Sequence, residues 1–194
     1  RKRSRRPRLK APSHIDLIRE IKDKLPCLFF NFSRKKCQEN AHHLFKSNLF
    51  QPNPEIMHFV RKKLENSSQE IKNLESTKIL LRTLPYGIAF HHAGLIPIIK
   101  DIIEELFAKG LINVLYTTET FAVGINMPAK SVCFESLRKF DGVNFRFLNS
   151  KEYFQIAGRA GRRGIDKEGF VYAMVDRRDF DYRLIKKITD IDKD

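Results

Sequence analysis

Apolar positions along this 194-residue chain change their spacing several times, and each change marks the edge of a predicted element. "SHIDLIREIKDKLP" opens on Ser13 as a helix cap and carries Ile15, Ile18 and Leu25 at helical spacing, with Leu17 and Ile21 beside them. It stops at a proline, which predicts a first helix. "CLFFNF" is a short apolar run of strand-forming residues, and "SRKKCQENAHHLFKS" returns to helical spacing through Cys37, Ala41, Leu44 and Phe45. A strand therefore feeds a helix. Residues 51–84 open on Pro-Asn-Pro and are polar, lysine-rich and helical in character, which predicts a helical insertion. In the second half "YGIAFHH", "INVLYTT", "SVCFES" and "GFVYAMV" read as strands, and "LIPIIKDIIEELFAKG" and "KEYFQIAGRAG" as helices. The first of these helices has Pro97 in its first turn, a stripe of Ile98, Ile99, Ile102, Ile103, Leu106 and Phe107, and Gly110 as its stop.

Strands alternating with helices predict an α/β domain whose mostly parallel central sheet is flanked by helices on both faces. No internal repeat emerges. The expected organisation is a basic flexible arm or linker over 1–12 and one folded unit over 13–194, with the helical insertion at about 51–84. In such sheets ligands gather at the carboxyl ends of the strands, so candidate chemistry is sought just after each apolar run.

Charge changes the picture most. The chain has 37 Lys and Arg against 23 Asp and Glu, a net charge of +14, which points to a polyanionic partner because clustered cations gain by releasing counterions from phosphate backbones. "RKRSRRPRLK" at the start holds seven of these cations; it suits a nucleic-acid contact and equally a solvated flank. The three cysteines are scattered without a C-x-x-C pair, which argues against a disulfide framework and a thiolate zinc site and for a reducing compartment. No apolar run approaches the ~20 residues of a membrane span, so no membrane partner is expected.

Four stretches carry candidate chemistry. "QIAGRAGRRG" packs three arginines and three glycines into ten residues. If 152–162 is helical, Gln155, Arg159 and Arg162 fall within an arc of roughly 60° and offer planar forks for phosphate oxygens. Gly158 and Gly161, each costing about 1 kcal/mol in a helix, suggest a neighbour close to the backbone. In "YTTETFAVGINMPAK", Thr118 stands where a strand ends and a helix can begin, a cap with free amides facing an anion; Gly124 leaves that helix and Asn126 suits a ribose hydroxyl. A capped helix with an ordinary turn explains the same string. In "AFHHAGL" the adjacent histidines diverge and lack a third ligand, so no metal is expected. His92 with the Ala93 and Gly94 amides suits a backbone phosphate, the alternative being structural histidines. In "FFNFSRKKC", Ser33 and Arg34 either contact a nucleic-acid backbone or serve as a cap beside a solvated arginine.

Taken in order, "FFNFSRKKC", "FHHAGL", "TTETFAVGINMPAK" and "QIAGRAGRRG" resemble motifs IV, IVa, V and VI of superfamily 2 helicases, most closely the DExH-box RNA helicases of the superkiller type. The resemblance covers roughly 25–175 and implies a second RecA-like domain of a two-domain motor. It further implies that ATP with Mg is held mainly by a first RecA-like domain of the same parent chain. Arg159 and Arg162 would reach the γ-phosphate as arginine fingers with Gln155 nearby, and Gly124 and Asn126 would approach the nucleotide. Ser33, Arg34, His92, Gly94 and Thr118 would hold the phosphates of single-stranded RNA, with DNA the less favoured strand. Thr117 departs from the family, which usually has alanine there. Neither G-x-x-x-x-G-K-[ST] nor D-E-x-[HD] occurs in the sequence, so the chain is expected to be part of a longer protein and inactive by itself. Two other readings stay open: a non-catalytic RNA-binding module with a helicase fold, and half of a repair-type DNA helicase. The expected location is the cytoplasm, or the nucleus in a eukaryote.

Overall fold

The computed structural model describes residues 13–118, 127–176, 178 and 180–190. Helix α1 (His14–Glu20) starts where Ser13 accepts the Asp16 amide and Asp16 reaches back to the Ser13 amide, a reciprocal cap. After a 3₁₀ turn at Lys22–Lys24 come β1 (Cys27–Phe30) and α2 (Arg34–Lys46), then α3 (Pro54–Leu64), α4 (Gln69–Asn73) and α5 (Glu75–Thr83). The second half runs β2 (Ile88–His91), α6 (Pro97–Ala108), β3 (Val114–Thr117), β4 (Ser131–Phe134), β5 (Arg138–Phe140), β6 (Phe145–Phe147), α7 (Ser150–Ala157), β7 (Phe170–Ala173) and α8 (Tyr182–Thr189).

Five strands form one sheet in the order β2-β3-β1-β4-β7, every pair parallel, which is the α/β arrangement the alternation predicts. Every residue of β1 to β4 is buried. Because side chains alternate between faces, such strands must be covered on both sides. Only the outer strand β7 alternates between half-buried and exposed. Phe29, Phe30, Phe90, Tyr116 and Phe134 are the largest wholly buried side chains, with Phe29 and Tyr116 rings 5.3 Å apart across β1 and β3. Burying each such ring contributes about 1.5–3 kcal/mol. Cys27, Cys37 and Cys133 are buried free thiols. The segment read as an insertion contributes to this same core through Ile56, Val60, Leu64, Leu80 and Leu84, and α5 packs on α2 and β2. No helix among the described residues is long and apolar enough to cross a membrane.

Three features differ from expectation. The helix expected to run on to Arg162 ends at Ala157 with Gly158 as its cap, so Gln155, Arg159 and Arg162 do not share one helical face. An antiparallel hairpin, β5–β6, interrupts the simple alternation; Asp141 Oδ1 closes its turn by accepting the Val143 and Asn144 amides, and Gly142 takes a φ of 100° there. Helix α8 packs on α7 and buries Ile188.

Leu106 is wholly buried on α6. Leu106→Ala should lower unfolding stability by about 2–5 kcal/mol, read as an earlier midpoint at unchanged slope in a urea titration.

Candidate functional site

The register of the sheet places His91, Thr117, Phe30, Phe134 and Ala173 at one level. Residues just beyond them lie along one edge, the carboxyl edge, and four of the five predicted nucleic-acid contacts follow β1 or β2 there. Ser33 and Arg34 are exposed; the Ser33 Oγ accepts the Lys36 amide at 3.0 Å, capping α2, whose first turn is basic and holds no acid. Cations in that position oppose the helix dipole, an arrangement an anion would relieve. Gly94 is exposed beside Arg34, with the guanidinium 3.1 Å from where a Cβ would stand. Thr118 follows β3 and is only 8% exposed. Gly124 and Asn126 lie outside the described residues.

His92 is placed differently from the phosphate contact the sequence suggests. It is 4% exposed; its Nδ1 accepts the Gly94 amide at 3.0 Å, which leaves Nε2 to donate to Gln38 Oε1 at 2.8 Å. Both ring nitrogens therefore shape the Ala93-Gly94 turn from inside, and the Gly94 amide is engaged with them. His91 is buried too, with Nε2 3.1 Å from Glu104 Oε1. Burial pushes its pKa down to about 4, helped by Lys100 and His92, so at neutral pH the ring is uncharged and donates to the carboxylate. Among the described residues no group of three or more His, Cys, Asp or Glu could hold a metal ion.

Between the ends of β1 and β4 the sheet reaches a topological switch: α2 leaves β1 to cover β2 and β3, while β4 leads the other way to β7. An open cavity of about 620 Å³ sits there, lined by Phe32, Ser33, Glu135, Ser136 and, from the hairpin, Arg138, Lys139, Phe140 and Phe145. Phe140 and Phe145 are 56% and 67% exposed, and the Arg138 guanidinium lies over Phe145. Aromatic faces beside cations suit unstacked bases and their phosphates. The sequence reading named Ser33 but missed the hairpin residues, although the Asp-Gly turn between two phenylalanines was a legible hairpin signal. The hairpin is fastened to α7 through Glu152, which takes two hydrogen bonds from Arg146 at 2.7 and 3.0 Å and pairs with Lys139. The Arg146 bonds, with those of Lys139 and Asn149, hold the Glu152 carboxyl down at about 2.

The arginines occupy the opposite, amino edge. Ala160 bridges Ala129, just before β4: the Ala129 amide donates to Arg159 O at 3.0 Å and the Gly161 amide to Ala129 O at 2.7 Å. Gly161 has a left-handed φ of 87°, and a Cβ on it would lie 3.2 Å from Gly169 Cα; a Cβ on Gly169 would lie 2.4 Å from the Ala160 carbonyl carbon. The close neighbour that demands glycine at 161 is thus the chain's own approach to β7. Gln155 is exposed on α7. Arg159 is half-buried, and burial lowers its pKa. Arg162 is half-buried beyond Gly161, and its Nε and Nη2 donate to Asp166 Oδ2 and Oδ1 at 2.8 and 3.1 Å. That pairing raises the Arg162 pKa and takes the Asp166 carboxyl down to about 2. Arg163 is exposed.

The family profile described as "helicase conserved C-terminal domain" matches residues 43–164, which include His92, Gly94, Thr118 and the arginine loop. The chain is 44% identical over 155 residues to the DExH-box ATP-dependent RNA helicase DExH9 of Arabidopsis thaliana, covering 79% of this chain and 16% of that protein. It is 42% identical over 174 residues to the human exosome RNA helicase MTR4, covering 87% and 17%. To the antiviral helicase SKI2 of Saccharomyces cerevisiae it is 39% identical over 180 residues, covering 92% and 14%. The chain thus spans about a sixth of the length of the curated relatives it matches first.

Two outcomes follow from this geometry. Gly169→Ala must push Ala160 away from Ala129, so it should lower the melting temperature and change the environment of the arginine loop, read by amide hydrogen exchange at 159–162. For His91 the folded pKa of about 4 lies below its ordinary value of about 6.5, so the unfolded chain takes up the proton first. Native stability should fall as pH drops from about 6.5 towards 4, and His91→Gln should make that slope shallower; His14, also held near 4 chiefly by burial, keeps part of it.

Proposed function

The chain belongs to the helicase conserved C-terminal domain family, with DExH-box RNA helicases as its relatives, and on that premise we propose that it is the second motor domain of an ATP-dependent RNA helicase. Its partner is a first RecA-like domain of the same longer protein, which presents ATP with Mg²⁺ to the amino edge of this sheet. The metal would neutralise charge on the β- and γ-phosphates from that side. Arg159 and Arg162 meet the γ-phosphate and stabilise the charge that spreads over its equatorial oxygens as the bond breaks. Gln155, exposed on the last turn of α7, orients the γ-phosphate or the attacking water. Gly124 and Asn126 approach the nucleotide, Asn126 at its ribose.

The observation that carries the reading is the state of the Arg162 side chain: it is 23% exposed and fixed on a loop stitched to the sheet by backbone hydrogen bonds. A group held in place before the reaction needs no reorganisation when charge develops. Single-stranded RNA runs along the carboxyl edge, its phosphates on Ser33, Arg34, the Gly94 turn and Thr118, and its bases against Phe140 and Phe145 in the hairpin cavity. His92 serves this surface from beneath by setting the turn.

Arg159→Ala and Arg162→Ala in the full-length protein should each reduce RNA-stimulated ATP turnover by roughly 10³-fold, with RNA affinity kept within a few-fold. Unchanged turnover would instead identify a non-catalytic RNA-binding module. Residues 1–194 alone should hydrolyse no ATP. Competition between RNA and DNA strands of one sequence at fixed salt checks the strand preference, with RNA expected to win.

A further inference from the structure

Asp166 is set into the arginine loop in a way that closing a turn does not require. Its side chain is 6% exposed, and its carboxylate accepts three hydrogen bonds from one residue: the Arg162 backbone amide at 2.9 Å, Nε at 2.8 Å and Nη2 at 3.1 Å. Three bonds from one partner hold a carboxylate charged and in a single orientation. The turn is already closed by backbone, since the Ile165 and Asp166 amides donate to Arg162 O at 3.1 and 3.0 Å. The same bonds keep the two residues within one turn of chain.

Guanidinium carries five N–H groups in one plane. Asp166 engages one on Nε and one on Nη2, along a single edge, and that choice of edge leaves the Nη1/Nη2 edge as a complete fork for two phosphate oxygens. We propose that Asp166 is a positioning residue for the nucleotide-facing arginine: it grips the Nε/Nη2 edge of Arg162 and so aims the Nη1/Nη2 fork at the γ-phosphate before ATP arrives. The proposal rests on the reading of Arg162 given above. Two effects oppose each other here. The Asp166 charge repels phosphate, but from the far side of the guanidinium; an unheld arginine must lose its rotamer freedom at every turnover. Aim outweighs repulsion, because misplacement of a charge-stabilising group by about 1 Å can cost 10²-fold in rate.

The test uses the full-length protein and RNA-stimulated ATP hydrolysis, with Asp166→Asn, Asp166→Glu, Arg162→Ala and the double variant Arg162→Ala/Asp166→Asn. Asp166→Asn keeps the shape and removes the charge-assisted grip; kcat should fall roughly tenfold or more while KM for ATP changes less than about threefold. Asp166→Glu should recover part of the loss. In the Arg162→Ala background Asp166→Asn should cost little further, because the guanidinium it aims is gone and only the bond from the Arg162 main-chain amide, which an asparagine Oδ1 can also accept, remains. A purely structural carboxylate would lower turnover equally in both backgrounds, and that result overturns the proposal. So does a rise in turnover with Asp166→Asn, which would make the pair a latch that ATP must break, or a kcat left within about twofold of the parent. If Asp166→Asn is poorly folded, the same comparison made with Asp166→Glu decides. Should Arg162→Ala alone leave turnover intact, the motor-domain reading fails instead, and the two failures are told apart.

Discussion

Parallel pairing of β1 with β3 on one side and β4 on the other is the constraint from which the rest follows. It turns every strand the same way, so whatever succeeds a strand falls on one rim and whatever precedes it falls on the other. Ser33, Gly94, Thr118 and the hairpin share the first rim; Ala129, the arginine loop and Gly169 share the second. The strands between are buried on both faces and only four residues long, so the two rims are separated by roughly 13 Å of close-packed core. Two chemically distinct surfaces are thus held at fixed spacing by one hydrophobic slab.

Electrostatics then distinguishes the rims. On the carboxyl side, cations stand where a helix dipole disfavours them, Arg34 and Lys36 at the start of α2, with Glu135 3.7 Å from the Lys36 ammonium as a partial counterweight. On the amino side Arg162 has a defined mate in Asp166. An arrangement with unrelieved positive charge suits a long polyanion that slides, and one with directed pairs suits a single phosphate met at one angle.

Much of this was legible in the chain. Every strand of the main sheet was foretold by an apolar run, and Ser13, Ser33, Pro97 and Gly110 mark helix ends where local chemistry requires them. What escaped prediction depended on tertiary contact. Periodicity cannot tell that α7 stops at Ala157, because the stop comes from Ala160 docking on Ala129 and from Gly161 turning left-handed against Gly169, partners 31 and 8 residues away in sequence. Nor does a pair of histidines announce that one ring will be enclosed by Gln38 and its own Gly94 amide. The hairpin was missed for the opposite reason: its strands are three residues each, too short for alternation to register, and Phe140 and Phe145 face outward.

The burial of the three thiols has a practical corollary. Cys27 and Cys133 sit in adjacent central strands and Cys37 on the helix above, all without solvent exposure, and desolvation lifts the pKa of Cys27 and Cys37, which starves them of the nucleophilic thiolate. Alkylating reagents therefore have nothing to attack while the sheet is closed. Each cysteine becomes a clock that starts only when the layers part, and the native residues themselves report breathing of the slab without any introduced label.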